Sequence, residues 1–478
     1  MNIIIAGCGK VGPIRLRPMC ACRIGSCPAF PPPASLPCPV RRVQLNAEGH
    51  EVSVIDNDAQ ALQNASSRFD VMGVEGNCTS YRVQTEAGID DADLMIAVTD
   101  KDELNMLACL IAKKAGDCHT IARVRNPEYY EEINYIREEL GLSMSINPEL
   151  AAASEIARLI QVPSALEVDT FAKGRVSLIK IQIPQGSVLD NMAICNMAEK
   201  ISQKVLICIV EREKEVVIPG GNFVLKAGDY ISVTVAIPEI NHFLNQIGIR
   251  TKPIHNVMIA GGGTISYYLA KLLLAAHINV KIVEHNLERC NELSDLLPHA
   301  MIIYGDVTER EILMEENIED ADAVVALTNS DEENVLLSLF VNKLSKAKRI
   351  VKITRESFME VIDEMPVGNI VSPKNITAEY IIRYVRSRQN SYDSSNVETL
   401  YRLVGGKAEA LEFVVGSNAK AANKEICELN IRDNTLICSI YRNGKVIRPT
   451  GKDKILPKDS VMVVTTKKGL NGIDDIVK

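Results

Sequence analysis

Short apolar runs alternate with longer amphipathic stretches in two separate parts of the chain. In the first part, the runs that read as strands are Asn2–Ala6, Glu51–Ile55 and Leu94–Thr99. In the second part, the corresponding runs are Asn256–Ala260, Asn279–Val283 and Ala323–Thr328. Strands that alternate with helical patterns indicate parallel sheets with right-handed crossovers. The pattern therefore predicts two α/β domains.

The stretch after Thr99 has the period of an amphipathic helix. Its apolar residues recur every three or four positions and form one face of that helix: Leu104, Leu107, Ala108 and Ile111. A face of this kind is expected to pack against the core.

Each α/β part is followed by a strand-rich stretch. In the first half the predicted strands are Val176–Ile183, Lys204–Val210 and Tyr230–Val235. In the second half they are Ala410–Val415, Thr435–Tyr441 and Pro457–Val464. Proline-led helical patterns precede both stretches, at Pro148–Ile160 and Pro373–Val385. Each stretch is predicted to be a small α+β module with hairpins.

The chain consists of two copies of a unit of about 230 residues. Asp91–Asp100 recurs as Asp320–Asn329 at an offset of 229 residues, and Asn105 matches Asn334 at the same offset. Further matches follow at an offset of 230 and include Cys208 with Cys438 and Asp229 with Asp459. We therefore expect four domains: α/β domains at 1–145 and 251–370, and a linker helix with an α+β module at 146–250 and 371–478.

A glycine-rich turn follows the first strand of each α/β part. The first copy is Gly7-Cys8-Gly9-Lys10-Val11-Gly12, and Asp56 ends the next strand. The second copy is Gly261-Gly262-Gly263-Thr264-Ile265-Ser266, followed by Glu284. This is the dinucleotide fingerprint: the glycines let a pyrophosphate approach backbone N–H groups, and the acid accepts hydrogen bonds from ribose. Two copies in register favour Rossmann-like nucleotide-binding domains over packing turns that hold no ligand.

Further polar residues lie at neighbouring strand ends, where open α/β sheets bind ligands. In the first half they are Thr99, Asp100 and Arg123. In the second half they are Thr328, Asn329 and Lys352. Arg123 either clamps a diphosphate, as a bidentate guanidinium can, or forms an ion pair with Asp100 or Asp102.

Composition narrows the class of function. The 478 residues hold 53 Lys and Arg against 61 Asp and Glu, a net charge of −8, which argues against a nucleic-acid partner. No run of 18 apolar residues occurs, and nine scattered cysteines are typical of a reducing cytoplasm. The seven histidines are dispersed and show no H-x-x-H or H-E-x-x-H spacing, and the chain has no G-x-S-x-G nucleophile elbow or P-loop. Binding without catalysis is the interpretation that these observations favour.

The order of motifs carries a family resemblance. The G-x-G-x-x-G turn, the terminal acid, the A-D-x-x-x-A-V-T-x-x-D-E-x-N run at 92–105 and the strand-rich module together resemble an RCK unit, the pair of KTN and TrkA-C domains. Duplicated in one chain, this unit closely resembles the TrkA family, the peripheral subunits of Trk potassium-uptake systems. The resemblance covers nearly the whole chain.

The resemblance implies a cytoplasmic protein, peripherally associated with the inner face of the plasma membrane, that is not an enzyme. It implies binding of NAD(H), and in some members of ATP or ADP, and gating of a membrane potassium transporter by a homo-oligomer, a dimer or a tetrameric ring. The family's nucleotide contacts map onto Gly7, Cys8, Gly9, Lys10, Val11, Asp56, Thr99, Asp100, Arg123, Gly261, Gly262, Gly263, Thr264, Ile265 and Glu284. A soluble NAD-dependent oxidoreductase and a nucleotide-binding scaffold without a membrane partner are the alternatives.

One segment departs from the family pattern. The first half carries about 26 extra residues, at about 13–42, with eight prolines and four cysteines. Prolines cost about 3 kcal/mol each inside a helix, so this segment cannot be the crossover helix. It is a surface loop or a sequence-level artefact, a basic disordered arm that touches acidic lipid, or a zinc site. The zinc ligands would be Cys20, Cys22, Cys27 and Cys38, at a spacing unusual for zinc.

Overall fold

The computed structural model describes residues 1–7, 50–68, 71–162, 167–171, 176–202, 205–213, 215–235, 239–249, 253–355, 362, 365–392, 397–404, 407–417, 419–467, 470 and 472–478. These residues form two compact units. The first unit comprises Met1–Ala152 and Ser372–Ile382, and the second comprises Ala153–Val371 and Arg383–Lys478. The division into four domains remains a prediction.

The first unit is built on a six-stranded parallel sheet in the order β3-β2-β1-β4-β5-β6. Its strands are β1 (Asn2–Ala6), β2 (Glu51–Asp56), β3 (Met72–Glu75), β4 (Leu94–Ala97), β5 (His119–Arg123) and β6 (Met144–Ile146). The strand order reverses between β1 and β4. In this doubly wound arrangement, ligands bind beyond the carboxyl ends of the strands at the point of reversal.

Helices connect these strands. They are α1 (Ala59–Arg68), α2 (Tyr81–Glu86), α3 (Asp102–Gly116), α4 (Pro127–Ile136) and α5 (Pro148–Gln161). The sequence explains the start of α4, because the Asn126 side chain accepts a hydrogen bond from the Glu128 N–H and Pro127 occupies the first turn. We call β1–β6 with α1–α4 the first lobe.

The second unit begins with a five-stranded antiparallel sheet in the order β10-β9-β11-β8-β7. Its elements are β7 (Glu167–Phe171), β8 (Val176–Gln182), α6 (Met197–Lys200), β9 (Leu206–Arg212), β10 (Glu215–Val217), β11 (Tyr230–Val235) and α7 (Ile240–Gln246). Its apolar core includes Ile179, Ile231 and Phe243. The predicted alternating strands are therefore present in this module.

A second parallel sheet follows, in the order β14-β13-β12-β15-β16-β17. Its strands are β12 (Asn256–Ala260), β13 (Asn279–Glu284), β14 (Met301–Tyr304), β15 (Ala323–Ala326), β16 (Lys348–Lys352) and β17 (Asn369–Val371). The helices are α8 (Thr264–Ala275), α9 (Leu287–Leu296), α10 (Arg310–Glu315) and α11 (Asp331–Leu344). We call these elements the second lobe, because its strand order repeats that of the first.

The chain ends in a second antiparallel sheet, in the order β18-β19-β22-β20-β21. Its elements are the helix α12 (Pro373–Tyr392), which precedes it, and β18 (Val397–Leu403), β19 (Ala408–Val414), β20 (Thr435–Arg442), β21 (Lys445–Ile447) and β22 (Ser460–Thr465). Cys208 and Ile209 of the earlier module share a buried apolar cluster with Ala410, Cys438 and Met462 of this one. The predicted fold class, two Rossmann-like parallel sheets each followed by an antiparallel module, is confirmed.

Two predicted strands end earlier than expected. β4 and β15 end at Ala97 and Ala326, not at Thr99 and Thr328. The reason is local: the Thr99 backbone N–H donates to the Asn105 side chain, and the Thr328 backbone N–H donates to that of Asn334. Conversely, α12 runs to Tyr392, seven residues beyond the predicted end at Val385. Among the described helices, none is both long and apolar enough to span a bilayer.

The two antiparallel modules repeat one buried ion pair. The Arg212 guanidinium donates from Nε and Nη2 to the two oxygens of Asp229 at 2.7 Å each, and Arg442 does the same to Asp459 at 2.8 and 2.7 Å. Burial alone would raise the pKa of Asp229. The hydrogen bonds from Arg212 and from the Lys226 N–H outweigh burial and lower that pKa.

We expect Asp229→Asn to destabilise the protein at neutral pH by about 1–3 kcal/mol, because a charge-assisted pair is lost. A carboxylate with a lowered folded-state pKa stabilises above its unfolded pKa, near 3.8, and that stabilisation is lost as the pH falls through the folded pKa. The stability difference from wild type should therefore shrink below about pH 4 in pH-dependent thermal denaturation. Glu215→Gln, at the exposed start of β10, is the control. A stability difference between Asp229→Asn and wild type that stays constant with pH would contradict this account.

Candidate functional site

In the second lobe, the carboxyl ends of β12, β13 and β15 border a cavity of about 770 Å³. The lining includes the glycine turn 261–263, Glu284 and Arg289 on one side, and Asp306, Thr328 and Asn329 around the rest. Its volume is in the range of small-molecule and cofactor sites. The cavity lies where the strand order reverses, as the sequence pattern predicts.

The glycine turn is held against the sheet by backbone contacts. The Gly261 N–H donates to the Val283 carbonyl at 2.8 Å, and its φ of +95° lies in the region that favours glycine. A Cβ added to Gly261 would lie 3.0 Å from the Leu327 carbonyl oxygen. The buried Ser266 hydroxyl donates to the Gly261 carbonyl at 2.6 Å, so serine in place of the third glycine helps to hold the turn.

The acid at the end of β13 faces this turn. Glu284 is 7% exposed, and its Oε2 accepts a hydrogen bond from the Gly262 N–H at 2.6 Å. Its Oε1 accepts from the Asn286 N–H at 2.8 Å and lies 3.0 Å from the His285 Nδ1. The Oε2 atom, which has one partner, keeps a further lone pair. The carboxylate is thus fixed on the cavity wall and can accept hydrogen bonds from a diol such as ribose.

Sequence reasoning missed several residues of the cavity lining, among them Arg289 and Asp306. Arg289 on α9 donates from Nε to the Gly262 carbonyl at 2.8 Å and places a cation beside the turn. Asp306, after β14, accepts from the Thr308 N–H and hydroxyl at 2.8 and 2.7 Å, and these bonds lower its pKa. Asn77 repeats the Asp306 arrangement with Thr79 in the first lobe, so the 229-residue repeat was the available signal.

Not every residue predicted for the second lobe lines the cavity. Gly261, Gly262, Gly263 and Glu284 do so, as do Thr328 and Asn329. Thr264 and Ile265 lie in the first turn of α8, and Lys352 ends β16; these three are outside the lining. The turn therefore contributes through its glycine backbone, as expected where backbone N–H groups meet an anion at a helix N-terminus.

The described part of the first lobe repeats this geometry. Gly7 has a φ of +95°, and its N–H donates to the Ile55 carbonyl at 2.9 Å. A Cβ on Gly7 would lie 2.9 Å from the Thr99 nitrogen. Asp56 ends β2, as predicted, and accepts from the Asp58 N–H at 3.0 Å. The candidate residues Cys8, Gly9, Lys10 and Val11, and the segment 13–42 with Cys20, Cys22, Cys27 and Cys38, lie outside the described residues.

Arg123 ends β5 as a buried cation. It is 7% exposed, its Nη2 donates to the Thr99 carbonyl at 2.6 Å, and its Nε has no hydrogen-bond partner among the described residues. Burial is the main reason that its pKa is lowered. The Asp100 carboxylate lies 3.9 Å away and is half exposed, while Asp102 is engaged by backbone N–H groups. One donor of the Arg123 guanidinium is therefore unused among the described residues.

The buried face of α3 differs from the predicted one. Ala108 is buried as expected, but Leu104 and Ile111 are only partly buried and Leu107 is 45% exposed. The residues that face the sheet are Asp102, Asn105, Ala108, Cys109 and Ala112. Small side chains let the helix lie close to the sheet. The Asn105 amide is fully hydrogen-bonded, whereas Asp102 accepts two backbone N–H groups at Oδ2 and its buried Oδ1 has no partner among the described residues. Within the described residues, no group of three or more His, Cys, Asp or Glu side chains could hold a metal ion.

Comparison with known proteins gives consistent results over most of the chain. The TrkA-N domain family model matches residues 43–148 and 257–373, and the TrkA-C domain model matches 410–478. A Trk system potassium uptake protein TrkA homolog from Archaeoglobus fulgidus is 33% identical over 433 residues, which cover 90% of this chain and 96% of that protein. The Trk system potassium uptake protein TrkA of Haemophilus influenzae is 31% identical over 89% of this chain and 92% of its own length.

Solved structures agree on the fold. The GsuK channel superposes with a TM-score of 0.61 over 98% of this chain and 77% of its own, at 15% identity. A structure described as the GsuK channel bound to NAD gives a TM-score of 0.59 at the same identity and coverage. The relatives at about 30% identity are potassium-uptake proteins, so the prediction of a transport protein and not an enzyme is confirmed. This chain belongs to the TrkA family of Trk system potassium uptake proteins.

Proposed function

We propose that this protein is the nucleotide-sensing regulatory subunit of a Trk-type potassium-uptake system, and that each lobe binds an adenine nucleotide, with NAD(H) as the preferred ligand. The observation that carries the proposal is the Glu284 carboxylate, held beside the glycine turn 261–263 on the wall of a 770 Å³ cavity. Family membership supplies the transport context. The NAD recorded for the GsuK neighbour supports the choice of ligand.

The charges around the second cavity favour NAD(H) over its 2′-phosphorylated form. A carboxylate at the end of the second strand accepts hydrogen bonds from the ribose hydroxyls and repels a 2′-phosphate. The cavity lining contains three carboxylates, from Glu284, Asp306 and Glu333, and the guanidinium of Arg289. Three carboxylates also disfavour a ligand as highly charged as ATP. The first lobe, with its buried Arg123, is the better candidate for ATP or ADP.

The partner is a membrane potassium transporter subunit of the Trk type, approached from the cytoplasmic side. We propose that the chain acts as a homo-oligomer, a dimer or a tetrameric ring, beneath the pore. A nucleotide gates such an assembly only through a difference in its affinity for two conformations. We propose that the chain is divided into four domains, two lobes and two antiparallel modules, whose relative arrangement differs between the two conformations.

The decisive experiment reconstitutes the full chain with a Trk-type transporter in potassium-loaded vesicles. We expect NADH or ATP to change the potassium flux through the transporter only when the chain is present. We also expect the two proteins to co-purify. Isothermal titration of the full chain should show nucleotide binding. A chain that neither binds nucleotide nor co-purifies with a transporter would overturn the proposal. Unchanged absorbance of NADH over long incubation with candidate substrates distinguishes sensing from the oxidoreductase alternative.

A further inference from the structure

Both lobes bury one asparagine at the start of the helix that follows the central strand. In the first lobe, Asn105 is fully buried in the first turn of α3. Its Oδ1 accepts from the Thr99 N–H and hydroxyl at 2.8 and 2.7 Å. Its Nδ2 donates to the carbonyls of Thr99 and Arg123 at 3.1 and 2.9 Å. Four hydrogen bonds use the full capacity of the amide.

Asn334 repeats this arrangement in the second lobe. It is fully buried in α11, and its Oδ1 accepts from the Thr328 N–H at 2.9 Å. Its Nδ2 donates to the carbonyls of Thr328 and Lys352 at 3.2 and 3.1 Å. One side chain thus joins the loop after β15 to the last residue of β16. The same contacts at an offset of 229 residues show that the arrangement belongs to the unit.

A buried aspartate three residues earlier adds a second connection. Asp102 accepts from the N–H groups of Arg125 and Asn126 at 2.7 and 2.8 Å. Asp331 accepts from the N–H groups of Thr354 and Arg355, at 3.0 and 2.8 Å. The first turn of each helix therefore holds both the last residue of the fifth strand of the sheet and the second and third residues after it.

We propose that Asn105 and Asn334 are positioning residues of the two nucleotide sites, an inference that rests on the function proposed above. Each amide clamps the loop that faces the ligand, at Thr99 or Thr328, to the strand end at Arg123 or Lys352. In the first lobe the clamp is direct, because the Arg123 guanidinium donates to the same Thr99 carbonyl that Asn105 binds. Movement of that carbonyl moves the cation of the site.

The strand order identifies the part of a dinucleotide that depends on the clamp. Glu284 ends β13 and the glycine turn follows β12, so adenosine and its phosphate lie on the β13 side. The loop at Thr328 follows β15, on the opposite side of β12. It therefore faces the half of a dinucleotide that extends past the pyrophosphate. Loss of the clamp should weaken binding of NADH and spare AMP.

The test uses Asn334→Asp in a full chain that also carries Asp56→Ala, so that the second lobe dominates the titration. Aspartate places a carboxylate oxygen where the amide Nδ2 was. The carbonyls of Thr328 and Lys352 then both lose the hydrogen bond that Nδ2 donates to them. We expect the Kd for NADH to rise about tenfold, the equivalent of one buried hydrogen bond, and the Kd for AMP to change by less than about twofold. Asn334→Ser, which removes the donors without adding charge, serves if the aspartate variant does not fold.

The matched control is Ser338→Ala, one turn further along α11. The buried Ser338 hydroxyl donates to the Val367 carbonyl at 2.6 Å, and Ser338 does not line the cavity. This variant should lose stability and keep its affinity for NADH. If Asn334→Asp leaves both affinities unchanged, or weakens NADH and AMP equally, the inference is wrong while the proposed function stands. If the parent chain binds neither probe, the proposed function itself fails, and the inference with it.

Discussion

Gly261→Val is expected to unfold the glycine turn of the second lobe and to abolish nucleotide binding there. Gly261 has a φ of +95°, which a β-branched residue adopts only with strain. A Cβ at this position would also lie 3.0 to 3.1 Å from backbone atoms of Leu327 and Thr328, which cannot rotate away. Together these effects should lower stability by roughly 3 kcal/mol. Thermal denaturation and isothermal titration with NADH measure the two consequences.

Gly263→Ala provides the control within the same turn. Gly263 has a φ of −67°, and no heavy atom lies within 4 Å of a Cβ added there. Because Gly263 is the N-cap of α8 and alanine is a poorer N-cap than glycine, we expect a loss of stability of only about 1 kcal/mol. If Gly261→Val melted like Gly263→Ala, the close approach of the turn to the loop after β15 would not be a real constraint.

Glu284→Ala is expected to raise the Kd of the second lobe for NADH by about 10- to 100-fold, the equivalent of one or two charge-assisted hydrogen bonds. The substitution removes the acceptor for ribose and leaves the buried Gly262 N–H without its partner. Glu284→Gln, which keeps an acceptor oxygen, should fall between wild type and alanine. Asp56→Ala should weaken the first lobe in the same way. Titration calorimetry of each variant measures these constants.

Glu316→Gln separates charge from contact. It removes one negative charge from the same lobe, but Glu316 pairs with Lys281 outside the cavity, at 2.7 Å. Its affinity for NADH should match that of wild type. Unchanged titrations for both Glu284→Ala and Asp56→Ala would remove the ribose assignment from the proposal.

The two predictions concern neighbouring parts of one cavity wall. Gly261 and Glu284 lie on neighbouring strands, β12 and β13, and are joined through the Gly262 N–H. Arg289 adds a third contact, since its Nε donates to the Gly262 carbonyl. The turn is thus held from both faces before any ligand arrives. Preorganisation of this kind reduces the ordering cost of binding.

Local patterns in the sequence determined most of the fold. The apolar runs predicted β1, β11 and β12 to the residue. For β1 and β12 the reason is that a buried parallel strand needs an uninterrupted apolar segment bounded by polar residues. The repeat determined that the second lobe copies the first. The glycine motif and the terminal acids marked the site, since close backbone approach and a ribose acceptor require those residue types at that spacing.

Only the tertiary structure decided which side of α3 is buried and which polar groups organise the site. The predicted apolar face includes Leu107 and not Asn105, but Leu107 is exposed and Asn105 is fully buried. Burial of the Asn105 amide is tolerated because it forms four hydrogen bonds, three with Thr99 and one with Arg123. Those partners are up to 18 residues away in sequence. No local pattern shows their convergence, because it exists only once the sheet has formed.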